Sequence, residues 1–586
     1  MGDYLLVSRA PGDTVAEAMS RALSDEARRH GLVVSQMNPH AWLAVRGPAP
    51  PRKLDVGGWT LIGDVFDRRS AYLPASRATD PWDYERKMIA RFWGRYVGVL
   101  FGANDQISAL LRDPSGALDC VCWQQDGLTV VASSAEDWLL SRLRPGWRIN
   151  IGRVARALHD VVADAGPLMI DGPTALQPGT IQPLPLTRAP TALWTPSEIA
   201  RRSLGPVQPS PAEAMALLRT AIEDAVVGLS SLEGPIAAEV SGGLDSSIIA
   251  STLMRVSRSK VALWLNTYGS TPESDERRHV AVLGPALGIT PTSVPHVTAP
   301  ITHEWLEAVS GGFRPGLNAL DHTQDLAWSR EIGTAGAMAV MTGKGGDSIL
   351  VQAATMDVFA DVWKARGWRA LVWRDFPELA AANEVSLWSM IGHARRCRRA
   401  GHPSLGREHP LLSKLAEEVE IHPWLSDLGR FGPAKTFQIA GVADSVSHHG
   451  ASALTRSIDV RHPLCTQPVV EACLSLPTSL LTIGGRDRGL ARLAFRDHLP
   501  AEILDRRSKG EMTRIYGRMV VDNLAVLRPW LIEGRLAALG LVDRKAAEAE
   551  LTPEALIWRG HYAIILNVAA MEGWVRLWER RLGPAG

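Results

Sequence analysis

The sequence predicts an α/β chain in two units: stacked antiparallel sheets forming a β-sandwich to about residue 200, then a doubly wound parallel sheet with a mainly helical C-terminal part. Three observations predict this. Short apolar stretches alternate with turn signals through about residue 140, prolines cluster between 171 and 212, and from Pro211 long helical segments alternate with apolar strands.

In the first unit, Tyr4 to Val7, Ala41 to Val45, Trp59 to Ile62, Tyr96 to Phe101, Ile107 to Leu111, Asp119 to Trp123 and Leu128 to Ala132 read as strands. The turns Arg112-Asp113-Pro114-Ser115-Gly116 and Gln125-Asp126-Gly127 join strands, and Thr14 to His30 fits a helix. Prolines 173, 178, 183, 185, 190, 196, 206, 209 and 211 disfavour regular structure, which predicts a linker over the surface and places the boundary near 200: residues 1–200, then 201–586. In the second unit the order is helix Ala212 to Leu229, strand 235 to 240, a helix from Ser246, strand Val261 to Thr267, helix Ser274 to Leu287 and strand Ala337 to Thr342. Strands separated by helices at this spacing make a parallel sheet, whose ligands bind at the carboxyl ends of the strands.

The 586 residues carry 63 Lys plus Arg against 62 Asp plus Glu, so the balance of charge supplies no attraction for nucleic acid or an anionic membrane. Five cysteines without metal-type spacing suit a reducing compartment. There is no signal-peptide pattern and no run of about 18 uninterrupted apolar residues. The expectation is a cytoplasmic protein without nucleic-acid or membrane partners.

Residues 241 to 247, Ser-Gly-Gly-Leu-Asp-Ser-Ser, lie between an apolar strand and a helix start. Gly242 and Gly243 let the backbone turn its N–H groups toward an anion, Ser241, Ser246 and Ser247 add hydroxyl donors, and the helix presents its positive end to the same point. Asp245, an acceptor within a nest of donors, makes sense as a ligand of a magnesium ion bridging phosphates. The spacing is not that of a Walker loop. It resembles the pyrophosphate loop of the ATP pyrophosphatases, which cleave ATP between the α and β phosphates to make an acyl-adenylate. A second glycine loop, Thr342-Gly343-Lys344-Gly345-Gly346-Asp347-Ser348, also follows an apolar strand, which makes Asp347 the second metal candidate; a turn aspartate bonding its own backbone is the plainer alternative. Near the C-terminus, Asp505-Arg506-Arg507-Ser508-Lys509-Gly510 brings three cations into four residues. Adenylation needs such a cation for the charge on the α-phosphate and on the later oxyanion, and Lys509 is the candidate, although its spacing alone better suits exposed basic residues ending a helix. The run Arg395-Arg396-Cys397-Arg398-Arg399 reads as a solvated helix face or a grip for an acidic peptide.

These pieces fall in the order of the asparagine synthetase B family: the loop at 241, the loop at 342, Ser457-Ile458-Asp459-Val460-Arg461-His462-Pro463-Leu464, then Leu499-Pro500-Ala501-Glu502-Ile503-Leu504 leading to Lys509-Gly510. The resemblance implies a glutaminase-like first domain and an ATP-pyrophosphatase-type synthetase second domain. It further implies ATP and magnesium as cofactors. Carried over by position, Ser241, Gly242, Gly243, Asp245, Ser246, Gly343 and Gly345 hold the nucleotide, Asp245 and Asp347 hold the metal, and Lys509 and Asp347 serve the chemistry. The departures matter too. The chain begins Met1-Gly2-Asp3, where a working glutaminase has a cysteine, so glutamine hydrolysis is not expected. Lys344, Ser348 and Thr466 stand where asparagine synthetases usually carry acidic residues, which argues against aspartate as substrate.

The Gly-Lys-Gly-Gly-Asp-Ser loop and 20 tryptophans look most like the lasso-peptide macrolactam synthetases. That resemblance implies an AMP-forming amide ligase that adenylates a side-chain carboxylate of a core peptide and lets the peptide's own α-amine capture it. The partners implied are the precursor peptide and a leader peptidase. The near alternatives are cyclisation of a small β-amino acid, as in β-lactam synthetases, and ammonia-dependent asparagine synthesis. A non-catalytic nucleotide-binding scaffold is the reading of a different class.

Overall fold

The computed structural model describes residues 3–46, 52–68, 80–143, 145–160, 162, 166–316, 320–400, 409–414, 422–506 and 513–583. Its first part is a sandwich of two six-stranded antiparallel sheets. One sheet runs Thr174–Ala175, Val121–Gln125, Leu128–Ala132, Tyr4–Arg9, Ala41–Arg46, Leu32–Asn38. The other runs Thr191–Ala192, Thr180–Pro183, Ile107–Arg112, Phe92–Phe101, Trp59–Asp67, Lys53–Val56. Alternation along a strand sends neighbouring side chains to opposite faces. Leu6, opposite Leu43 and Val131, points between the sheets with Val97, Val99, Leu110, Cys120 and Cys122. Leu5 and Val7 point outward, against Leu23 of helix Thr14–Arg29 and a layer that includes Trp530, Trp574 and Trp578. Both faces are covered, which is why the strand reads as a continuous apolar run rather than an alternating one.

The proline-rich stretch is not the predicted surface linker. Thr174–Ala175, Thr180–Pro183 and Thr191–Ala192 add strands to the sandwich, and Ile181, Leu193, Trp194 and Ile199 are buried. Two of these strands lie at sheet edges and Pro183 ends the third, positions where a missing N–H costs no ladder bond. Hydrophobic clusters also run across residue 200: Trp59, Trp93 and Tyr96 pack with Leu218, Ile222 and Val226 of helix Pro211–Ser231. That helix starts where a capping box between Ser210 and Glu213, with Pro211 in the first turn, dictates.

The second part is built on a five-stranded sheet, all parallel, in the order Thr292–Pro295, Val261–Tyr268, Ile236–Glu239, Ala339–Met341, Asp459–Arg461. Strands 292–295 and 459–461 carry no apolar pattern long enough to announce them in the sequence. By chain position the order is 3-2-1-4-5, so it reverses between Ile236–Glu239 and Ala339–Met341, and a crevice opens at the carboxyl ends of those two strands. Both glycine loops emerge there. Helices dominate after about residue 355. Among the described residues no helix is long and apolar enough to cross a membrane.

The two parts meet in an ion network centred on Arg95. Its Nη1 lies 2.8 Å from Asp459 Oδ1 and its Nε 3.1 Å from Asp64 Oδ2, while Arg461 Nε reaches Asp459 Oδ2 at 2.8 Å. Burial raises the Asp459 carboxyl, but the neighbouring guanidinium groups of Arg95 and Arg461 outweigh it and hold the group well below the usual carboxylate range. Close by, Arg68 Nη1 and Trp194 Nε1 donate to the two oxygens of Glu471, at 2.7 and 2.9 Å.

Candidate active site

Strand Ile236–Glu239 is buried at its first three residues, and Asn266 Nδ2 ties its continuation by donating to Val240 O at 2.9 Å. The chain then turns through Ser241, Gly242 and Gly243 into helix Leu244–Val256. Gly242 has φ +74°, and a Cβ there would stand 2.8 Å from His279 Cβ, so only glycine fits. The helix begins at Gly243 with no side-chain cap, which leaves its first-turn N–H groups facing the mouth of the loop. The serines organise the loop from within. Ser241 N donates to Ser246 Oγ at 3.1 Å, the two hydroxyls are 2.8 Å apart, and Ser247 Oγ donates to Gly243 O at 2.7 Å.

The second loop leaves Ala339–Met341 and is pinned by Thr342, whose N donates to Arg461 O at 3.1 Å and whose Oγ1 lies 2.8 Å from His462 Nδ1. Its glycines let it press against the first loop. A Cβ on Gly343 would stand 2.5 Å from Ser246 N, and one on Gly346 would stand 2.5 Å from Asp245 Cγ. Gly345, at φ +89°, has the Cys465 sulfur 2.3 Å from where a Cβ would go. The loops are therefore one interlocked structure. Gly343→Ala is expected to push them apart by a few tenths of an ångström or more and to lower turnover about 100-fold, with ATP affinity falling too. Steady-state kinetics on the folded variant checks this, and rates within threefold of wild type would show that the loops do not need their close contact.

Interlocking brings the two aspartates to one point. Arg488 Nη1 lies 2.8 Å from Asp245 Oδ2 and 3.0 Å from Asp347 Oδ1, and its Nη2 lies 3.2 Å from Asp487 Oδ2. Asp245 and Arg488 are buried, whereas Asp347 is 42 % exposed and opens to the crevice. Burial works against the Arg488 charge, but the carboxylates around it raise its pKa further. Carboxylate oxygens converging on one cation are the hard-donor chemistry that magnesium takes, so the pair fits that ion. Arg506 adds a second positive group, donating from Nη1 to Gly242 O at 3.1 Å and pairing with Glu276.

Ser241, Gly242, Gly243, Asp245, Ser246, Gly343, Gly345 and Asp347 thus all lie at the crevice. Lys509 falls outside the described residues. Arg488 and Arg506 were not singled out from the sequence. Arg506 sits in the basic stretch chosen for Lys509, so a signal was there; Arg488 lies between Arg486-Asp487 and helix Gly489–Ala494 with nothing local to mark it.

Behind the second loop, His462 is buried, and His448 and His449 are partly buried near Lys344. Burial first, and then the neighbouring positive charges, push His449 down to about 3, and His448 likewise to about 3. The His449 and His462 rings lie 5.2 Å apart. A neutral imidazole with a folded value below its unfolded one contributes stability that is full above about pH 6.5 and is lost as pH falls toward the folded value. The advantage of the wild type over His449→Gln is expected to shrink by about 1.4 kcal/mol per pH unit between pH 6 and 4, measured by denaturant titration. A difference independent of pH would mean that this histidine protonates normally in the folded protein.

Residues 217–576, which carry both loops, Arg488 and the strands that hold them, match the family model of asparagine synthase. No curated protein matches the chain.

Proposed function

Because the chain belongs to the asparagine synthase family, an ATP-dependent amide-bond ligase of that kind is the premise from which we propose that it closes a macrolactam in a lasso-type peptide. The observation that carries the nucleotide chemistry is the interlocking of the two glycine loops, with Asp245 and Asp347 converging on Arg488 at the switch point of the sheet. A carboxylate oxygen of the peptide attacks the α-phosphorus of ATP, the bond to the bridging oxygen breaks, and pyrophosphate leaves toward the N–H groups at the start of helix Leu244–Val256. The peptide α-amine then attacks the acyl carbon, AMP departs with the carboxylate oxygen, and the amine gives up a proton. Magnesium held by Asp245 and Asp347 would neutralise charge on the phosphates. Arg488 and Arg506 provide fixed positive charge near the same loop, and Lys509 is assigned to the charge that builds in both transition states.

An amine within the substrate is favoured because the first 200 residues hold no cysteine except Cys120 and Cys122, both buried between the sheets. Desolvation pushes the Cys120 thiol up to about 12 and Cys122 well above its ordinary value, so neither supplies a thiolate to hydrolyse glutamine. Holding both ends of one peptide makes the condensation intramolecular, where effective molarities reach about 10⁵ M or more. Trp59, Trp93, Trp530, Trp574 and Trp578 are core residues and have no part in a peptide groove, whereas Trp368, Trp388 and Trp558 are exposed. The precursor peptide is the proposed substrate and a leader peptidase its proposed supplier.

The test is incubation with ATP, magnesium and a leaderless precursor peptide. The expected result is a product lighter by one water, with one AMP formed per ring. ADP as product, consumption of glutamine, or turnover of a small β-amino acid or of aspartate with ammonium in place of peptide would overturn the reading.

A further inference from the structure

We propose that Asp357, His393 and Cys397 form a binding site for one transition-metal ion, with zinc the best chemical match. The site lies in the helical region that follows the second loop and is independent of the nucleotide chemistry. Helices Met356–Arg366 and Leu387–Ala400 pack through Val358, Phe359, Val362, Met390, Ile391 and Ala394. His393 and Cys397, four residues apart, share one face of the second helix, and Asp357 faces them from the first turn of the other.

His393 Nε2 lies 2.7 Å from Asp357 Oδ1 and 3.3 Å from Cys397 Sγ, and the three ligand atoms all lie within 4.8 Å of one another. The same ring nitrogen faces both partners. A nucleophile relay needs the thiol and the carboxylate on opposite nitrogens of the imidazole, so this is not a Cys-His-Asp triad. Nor do hydrogen bonds satisfy the trio. If Nε2 carries the proton and gives it to the carboxylate, the sulfur faces a donor already used. If the thiol donates to a bare Nε2, the carboxylate sits at 2.7 Å from the same lone pair. One cation taking a lone pair from each atom satisfies all three.

Tetrahedral zinc with ordinary bond lengths places sulfur about 3.6 Å and oxygen about 3.3 Å from nitrogen, so the side chains need to open by about half an ångström. All three residues are only partly buried, which leaves water access to a fourth position. A thiolate, an imidazole and one carboxylate select zinc over magnesium. Arg396 is one of the cations that flank the Cys397 thiol. Of the other flanking cations, Arg395 is turned to Trp368, its guanidinium 5.1 Å over the ring. The cluster of His409, Glu550 and His561 differs. Leu411 N donates to His409 Nδ1 at 3.1 Å, so Nε2 carries the proton and donates to His561 Nδ1 at 2.7 Å, a chain complete without an ion.

The experiment is titration of the full chain, stripped with chelator, with cobalt(II) and then zinc. The expected result is one cobalt per chain with a thiolate-to-cobalt charge-transfer band and intense tetrahedral d–d bands, both erased by one equivalent of zinc. Cys397→Ser is expected to lose the charge-transfer band, and His393→Gln to weaken zinc binding at least tenfold, with unchanged circular dichroism. A wild-type spectrum of the hydrated ion alone overturns the proposal whatever the variants do. So does a charge-transfer band that survives in Cys397→Ser.

Discussion

Asp245→Asn is expected to lower AMP formation about 10³-fold while the protein stays folded. The substitution keeps the shape of the side chain and removes its charge. Asp245 is 7 % exposed and sits under Gly346, so its carboxylate is held in place before any nucleotide arrives. Arg488 keeps Asp347 and Asp487 as partners, which limits the cost in stability to about 2 kcal/mol. Assaying AMP formation with the precursor peptide, alongside ATP affinity by calorimetry, separates the two effects. Turnover within tenfold of wild type would remove Asp245 from the reacting site.

The second large effect is on stability. Arg95→Met is expected to cost about 3 kcal/mol, because it leaves the buried Asp64 and the partly buried Asp459 without the cation between them, Asp459 keeping only Arg461. Asp459 begins the strand that pairs with Ala339–Met341, and Thr342 is bonded to Arg461 two residues on, so strain at the network reaches the second glycine loop through one short strand. The double variant Arg95→Met with Asp459→Asn is expected to recover part of the loss, since the neutral amide no longer needs the guanidinium. Denaturant titration of the three proteins checks this; a single-variant cost below about 1 kcal/mol, or a double variant no better than Arg95→Met, would show the network to be solvated.

Much of the fold was legible. Short apolar stretches between turn residues marked most strands of the sandwich, and the change to long helical segments after Pro211 marked helix Pro211–Ser231 as Ala212 to Leu229. The proline-rich stretch misled because proline density reports where a ladder cannot continue, not whether a short edge strand can form. Asp459–Arg461 was invisible as a strand for another reason. It has three residues, two of them charged, and is a strand only because Ala339–Met341 lies beside it, Arg95 donates to the Asp459 carboxylate and Leu229 O accepts from Arg461.

What the sequence by itself determined is the local chemistry of the crevice: strand, glycine loop and helix start at 236 to 256, and again at 339 to 349, each with its aspartate. Such loops are encoded by neighbours in the chain, because backbone dihedrals and helix ends depend on a handful of adjacent residues. The tertiary structure alone decided which cations serve them. Arg488 lies 243 residues from Asp245, and Arg95 lies 364 from Asp459. A charge pair acts through space, so any of 63 lysines and arginines satisfies the sequence equally well, and only the folded chain selects the one that arrives.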